Sequence, residues 1–174
     1  GANCGPWRQS ITDINAYSTV VSRDGVKIAF IAGEANYLYY STTTGATWAT
    51  TTPNAQLDWL FSLAGNSDLS AVYVIGSDGA TYSTHDFTSW HATPATQSPD
   101  LYWAGVAASA DGMKLAVSQG SGDVWTSADG AGWTMHKLPG EGWLVDVAAN
   151  GDDVVAVGAH DLPQVKKGRS QYSL

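Results

Sequence analysis

The sequence predicts an all-β repeat fold of four four-stranded antiparallel units, each about 42 residues long. Three observations carry this expectation. Trp7, Trp48, Trp90 and Trp133 follow one another at intervals of 41, 42 and 43 residues. A parallel aromatic series, Tyr17, Trp59, Trp103 and Trp143, recurs at 42, 44 and 40 residues. Tyr40, Tyr82 and Trp125 each stand 8 residues before a member of the first series. Three linked series that drift by so little mark a structural repeat. Four short strands in roughly 40–45 residues is the size of a β-propeller blade.

Each unit opens with an apolar run, at residues 17–22, 59–64, 103–109 and 143–149. A turn follows, carrying Asp24-Gly25, Ser67-Asp68, Asp111-Gly112 or Gly151-Asp152. The second runs are 26–32, 71–76, 113–118 and 154–158. A Gly-rich turn leads to a third run, such as 36–40 or 79–83, and a last turn leads to the Trp strand, as in 46–51 or 132–137. These runs are rich in β-branched and aromatic residues and are bounded by Gly, Asp, Asn and Ser. No stretch has helical periodicity. One such sheet cannot bury both faces alone, so the units must stack into a single domain over residues 1–174.

The ends of the repeat suggest how the stack closes. Trp7 precedes any first strand, and the last unit, from Trp143, lacks a Trp strand of its own. Tyr172-Ser173 takes the place that Tyr82-Ser83 holds in its unit. The N-terminal strand is therefore expected to close the last blade and remove two sheet edges. Closure within one chain makes a four-bladed ring and is the first expectation. Closure between two chains makes the chain half of a larger ring. The sequence leaves both open.

Composition bounds the function. The formal net charge is −8, a balance that repels phosphate backbones and speaks against a nucleic-acid partner. Of 16 carboxylates 14 are Asp, a turn former before it is a catalyst. The single cysteine, Cys4, excludes an internal disulfide and a multi-cysteine metal site. No apolar run is long enough for a membrane-spanning helix. His85, His91, His136 and His160 lack ligand spacing, so no metal or other cofactor is expected. The composition and the absence of an initial Met point to a secreted or extracellular protein.

The turns before the first Trp series carry a resemblance. They read Ser41-Thr42-Thr43-Thr44-Gly45-Ala46-Thr47-Trp48, Ser83-Thr84-His85-Asp86-Phe87-Thr88-Ser89-Trp90 and Thr126-Ser127-Ala128-Asp129-Gly130-Ala131-Gly132-Trp133. This resembles the Asp-box, or BNR, repeat of sialidase-like propellers, Ser/Thr-x-Asp-x-Gly-x-x-Trp, with degenerate boxes. Thr43, His85 and Ala128 stand at the Asp position, while Asp86 and Asp129 are displaced by one residue. The resemblance implies a propeller whose Asp-box residues shape turns rather than act on a substrate. Sialidase chemistry would need three clustered arginines, and the chain has only Arg8, Arg23 and Arg169, at non-equivalent positions. The expectation is that the protein is not an enzyme.

The first-strand aromatics are the candidate site. Tyr17, Trp59, Trp103 and Trp143 recur near the mouth of the expected channel, with Asp58, Tyr102 and Glu141 beside them. Flat rings cover the C–H faces of sugars while carboxylates take the hydroxyls, so a lectin-like glycan-binding role is the leading expectation. A stretch at 159–171 breaks the repeat as an apparent loop insertion and carries Lys166, Lys167 and Arg169. A basic loop on an acidic body suits a protein partner or self-association, and a structural or assembly module is the second reading. A divergent glycoside hydrolase, using carboxylates such as Asp58 and Glu141, ranks last.

Overall fold

Short β-branched and aromatic runs punctuated by turn formers produce fifteen strands among the described residues, grouped into four antiparallel sheets. This computed structural model describes residues 11–12, 14–32, 36–94, 103–137, 143–150, 153–159 and 164–168. The first blade is β1 (Ala16–Val21), β2 (Ile28–Ala32), β3 (Leu38–Ser41) and β4 (Ala49–Thr51). The second is β5 (Leu60–Gly65), β6 (Val72–Gly76), β7 (Ala80–Thr84) and β8 (His91–Pro94). The third is β9 (Trp103–Ala108), β10 (Leu115–Gln119), β11 (Asp123–Ser127) and β12 (Thr134–Lys137). The fourth holds β13 (Trp143–Asn150), β14 (Asp153–Ala159) and β15 (Gln164–Gly168). Strands pair in chain order within each sheet, and the first strands meet in the sequence β1, β5, β9, β13. This is the blade arrangement of a β-propeller.

One expectation at the C-terminal end needs correction. The stretch at 159–171 is not simply a loop: it supplies β15, which pairs with β14 from Gly158↔Gln164 to Val154↔Gly168. Lys166 and Lys167 therefore sit in the third strand of the blade, opposite Ala156 and Val155. Arg169, Tyr172 and the Trp7 segment lie outside the described residues, and with them the expected closure.

Strand register aligns the blades residue by residue. Every first strand carries one β-bulge at the same place, with Tyr17, Phe61, Ala104 and Val145 as the unpaired residues. The middle strands β6 and β10 are buried along their whole length, which requires both faces of each sheet to be covered. Ala29 and Ile31 of the first blade pack against Val72 and Val74 of the second. Tyr73 and Ile75 then meet Trp103, Leu115 and Val117 of the third. Ala107 and Ala116 meet Val147 of the fourth. Each large apolar side chain buried this way stabilises the stack by about 1.5–3 kcal/mol.

The β9–β13 junction is too close for a side chain at Gly105. A Cβ there would lie 2.8 Å from the Asp146 Oδ1 and 3.1 Å from the Asp146 Cα. In β5 the same register position is Ser62, whose Oγ accepts the Val106 N–H at 3.2 Å.

Turn chemistry sets the opposite end of the blades. The first hairpins are linked across blades: the Arg23 N–H donates to the Ser67 carbonyl at 2.7 Å, and the Ser67 N–H to the Ala110 carbonyl at 2.9 Å. In the last turns of blades two and three, the Asp86 Oδ1 accepts from the Thr88 and Ser89 N–H groups at 2.7 Å each, and the Asp129 Oδ1 from Ala131 and Gly132 at 2.9 and 2.8 Å. In blade one the Thr43 hydroxyl does this work, accepting the Thr47 N–H at 2.9 Å. Phe87 adopts φ +61°, a left-handed conformation that Gly130 adopts at the same point of the next turn. Stacking of Phe87 on Tyr40, at 4.7 Å between centroids, offsets that strain.

Two outcomes follow. Gly105→Ala should destabilise the chain by about 1–3 kcal/mol through overpacking, measurable as a lowered urea midpoint. The second concerns acid. Donated N–H bonds from Ser89 and Thr88 hold the Asp86 carboxyl well below the usual carboxylate range, and bonds from Gly132 and Ala131 lower that of Asp129. The unfolded chain takes up these protons near pH 4 and the folded chain only at lower pH. Stability should therefore be present above about pH 4 and decline as the pH falls below it. Asp86→Ala should make that decline shallower in a pH series of denaturation midpoints; an unchanged slope would exclude the Asp86 contribution.

Candidate functional site

The end of the arc opposite the Asp turns is formed by the starts of the first strands, the β2–β3 and β6–β7 turns, and the connection from β4 to β5. Its backbone is held by side-chain hydrogen bonds. The Ser77 Oγ accepts the Asp58 N–H at 3.1 Å, and the Ser77 N–H donates to the Trp59 carbonyl at 3.1 Å. Asn36 Nδ2 donates to the Leu57 carbonyl at 3.0 Å, and Asn54 Nδ2 to the Tyr82 hydroxyl at 3.1 Å. The Tyr82 hydroxyl in turn donates to Asp78. The loop that carries Asp58 and Trp59 is thereby fixed before any ligand arrives.

Two rings stand out of this fixed loop end. Tyr17 is 52% exposed and Trp59 is 55% exposed. The Tyr17 hydroxyl donates across the first blade boundary to the Leu60 carbonyl, one residue beyond Trp59. The bulge places Tyr17 out of the strand alternation, so its ring reaches across rather than into its own sheet. Partial burial pushes the Tyr17 hydroxyl above its ordinary pKa, leaving it a neutral donor. Asp58 is exposed beside Trp59. The arrangement offers two flat apolar faces with a carboxylate and side-chain amides within the same loops.

The aromatic series does not stay together. Trp103 is only 1% exposed and packs with Ile75, Leu115 and Val117, so it is a core residue and not a ligand platform. Register explains the difference. Trp103 pairs opposite Gln119 at the place where Leu60 pairs opposite Gly76, which is an inward-facing position. Trp59 lies one residue earlier and faces out. Trp143 opens β13 at the register place of Trp59, one residue before Leu144. Tyr102 and Glu141 lie outside the described residues. Sequence spacing missed Tyr37, which is exposed at the β2–β3 turn on the same end. A lone tyrosine inside a strand-like run gives no signal of that placement.

Other features are poorer candidates. Among the described residues no group of three or more His, Cys, Asp or Glu side chains is placed to hold a metal ion. A shallow groove of about 360 Å³ beside Thr126, Trp133 and His136 lies on the third blade, where the Thr126 hydroxyl and His136 Nε2 are 2.8 Å apart. Thr126 has the register place of Tyr40, on which Phe87 of the following blade stacks, so the groove is a blade-packing position.

Neither a family model nor a curated protein matches the sequence. Solved β-propellers match the fold. The chain is similar to a virginiamycin B lyase from Staphylococcus aureus, with a TM-score of 0.68 at 12% identity over 91% of this chain and 56% of the lyase. It is similar to YCF48 with a bound peptide, with a TM-score of 0.69 at 10% identity over 88% of this chain and 50% of that one. An ancestral GH74 enzyme matches with a TM-score of 0.66 at 16% identity over 83% of this chain and 24% of the enzyme. The chain thus spans about half, or less, of the length of these propellers. At such identities the likeness shows the fold alone.

The opposed environments of the two tryptophans are testable by stability. Trp103→Ala should cost about 3–5 kcal/mol. Trp59→Ala should stay within about 0.5 kcal/mol, as for other exposed positions. Chemical denaturation of both variants checks this, and similar losses would contradict the assigned positions.

Proposed function

We propose that this propeller is a non-catalytic binding module that holds carbohydrate on the rim formed by Tyr17 and Trp59. The observation that carries the reading is two half-exposed rings, Tyr17 and Trp59, with the Tyr17 hydroxyl bonded to the Leu60 carbonyl next to Trp59 and Asp58 exposed alongside. A pyranose stacked on the Trp59 face would direct its hydroxyls to Asp58 and the neighbouring amides. The pinned loop lowers the ordering cost of binding. Trp143 opens β13 at the equivalent register place.

The Asp-box resemblance belongs to this proposal. Support comes from Ser127, whose hydroxyl accepts the Gly130 N–H at 2.8 Å while Asp129 caps the rest of the turn. A peptide ligand is the second reading. It is favoured by one observation, that a similar propeller, YCF48, has been solved with a peptide bound. Tyr17 and Trp59 would then anchor apolar side chains.

The test is binding of the intact chain to a broad glycan array, with Trp59→Ala as the variant. Loss of one stacked ring should weaken binding about two- to tenfold, in line with roughly 0.5–1.5 kcal/mol for a specific ring contact beyond its buried area. Binding that survives Trp59→Ala would move the site elsewhere. Silence on every glycan, with capture of aromatic-rich peptides that Trp59→Ala abolishes, would establish the peptide reading instead.

A further inference from the structure

Charge is divided unevenly between the two ends of the blades. At the end that carries Tyr17 and Trp59, Asp58 and Asp78 are exposed, and Asp123 is half-buried at the start of β11. In the first three blades the only described lysine or arginine at this end is Lys137, and it lies opposite Asp123 at the close of β12. Arg23, Lys27 and Lys114 flank the first hairpins at the other end, where the Lys27 Nζ donates to the Leu69 carbonyl at 3.3 Å. The sequence of the connecting segments has the same bias. Residues 33–35 join β2 to β3, 95–102 join β8 to β9, and 138–142 join β12 to β13. They carry Glu34, Asp100 and Glu141 and contain no lysine or arginine.

The exposed rings stand on this acidic end. Tyr37 is 45% exposed, and its neighbour Asn36 donates to the Leu57 carbonyl, one residue before Asp58. The Tyr17 hydroxyl bonds at Leu60, two residues after Asp58. The Asp58–Trp59 pair is therefore flanked on both sides by contacts from aromatic-bearing segments of the first blade. Among the described residues no hydrogen bond or ion pair engages the Asp58 carboxylate, whereas Asp78 is occupied by the Ala80 N–H at 3.1 Å and by the Tyr82 hydroxyl.

We infer that the sugar held on this rim is cationic, an oligosaccharide of hexosamine units with free amino groups. This rests on the carbohydrate reading above and names its class of sugar. Aromatic faces attract a cation through their ring quadrupole, Trp most strongly, and a carboxylate forms a charge-assisted hydrogen bond to an ammonium. Trp59 and Asp58 supply the two groups on consecutive residues. An N-acetylated sugar can stack on the same ring but brings no charge to Asp58. Uronate and sulfated sugars meet a field of their own sign.

The experiment is titration calorimetry of the intact chain at about pH 6, where a sugar amine is protonated. The probes are tetramers of glucosamine, of N-acetylglucosamine and of galacturonic acid. The glucosamine tetramer should bind about fivefold more tightly than the acetylated one, with the galacturonate weakest. That gap should shrink below about twofold in Asp58→Asn and in about 1 M salt, where the Debye length is only about 3 Å. Both Asp58 and Trp59 are exposed, so the variants keep the fold, which circular dichroism checks. Equal binding of the two hexosamine tetramers, or a preference for the acetylated or acidic one, would overturn the inference and leave the carbohydrate reading standing. A preference that survives Asp58→Asn or Trp59→Ala reflects net charge alone and would also overturn it. Silence of all three tetramers would remove the carbohydrate reading and the inference together.

Discussion

Sheets that are apolar on both faces cannot stand alone, and that constraint organises this molecule. The middle strands β6 and β10 bury every residue, so each sheet must be covered from two sides. Stacking is the solution, and its closeness is set where first strands meet. The absence of a side chain at Gly105 lets β13 approach β9, and Ser62 uses the same place to accept a neighbour's N–H. The twist of each sheet then turns the stack into an arc. On the first blade Phe30 is buried against Tyr39 and Trp48 of its own sheet.

The turns show one physical requirement met by different chemistry. Each last turn must supply an acceptor for two or so backbone N–H groups and accommodate a left-handed residue. Asp86 and Asp129 supply a carboxylate, while Thr43 supplies a hydroxyl. Gly130 takes the left-handed conformation without strain, whereas Phe87 takes it because its ring is stacked and buried against Tyr40. A degenerate motif therefore still makes equivalent turns, since the fold constrains the position of the acceptor and not its identity.

The binding rim inherits its rigidity from the same scaffold. Ser77, Asn36 and the Asn54–Tyr82–Asp78 chain fix the loop that presents Trp59. Exposed rings on a fixed backbone bind with little ordering cost, while the mouth itself stays free to vary in side chain.

The repeat count, strand order and turn positions were legible in the sequence, because tryptophan spacing and Gly/Asp punctuation report directly on strand length. The roles of individual aromatics were not. Nearly regular spacing put Tyr17, Trp59, Trp103 and Trp143 in one series, but its intervals of 42, 44 and 40 residues slip against the strand register, and side chains alternate faces with period two. A shift of one position sends Trp103 into the core and leaves Trp59 in solvent. Likewise, nothing local marks Gln164–Gly168 as β15; its pairing with β14 does. Local propensity and spacing determine which segments become strands and how many blades they make. Only the tertiary register, through pairing between strands far apart in the chain, decides which side of each sheet a ring occupies.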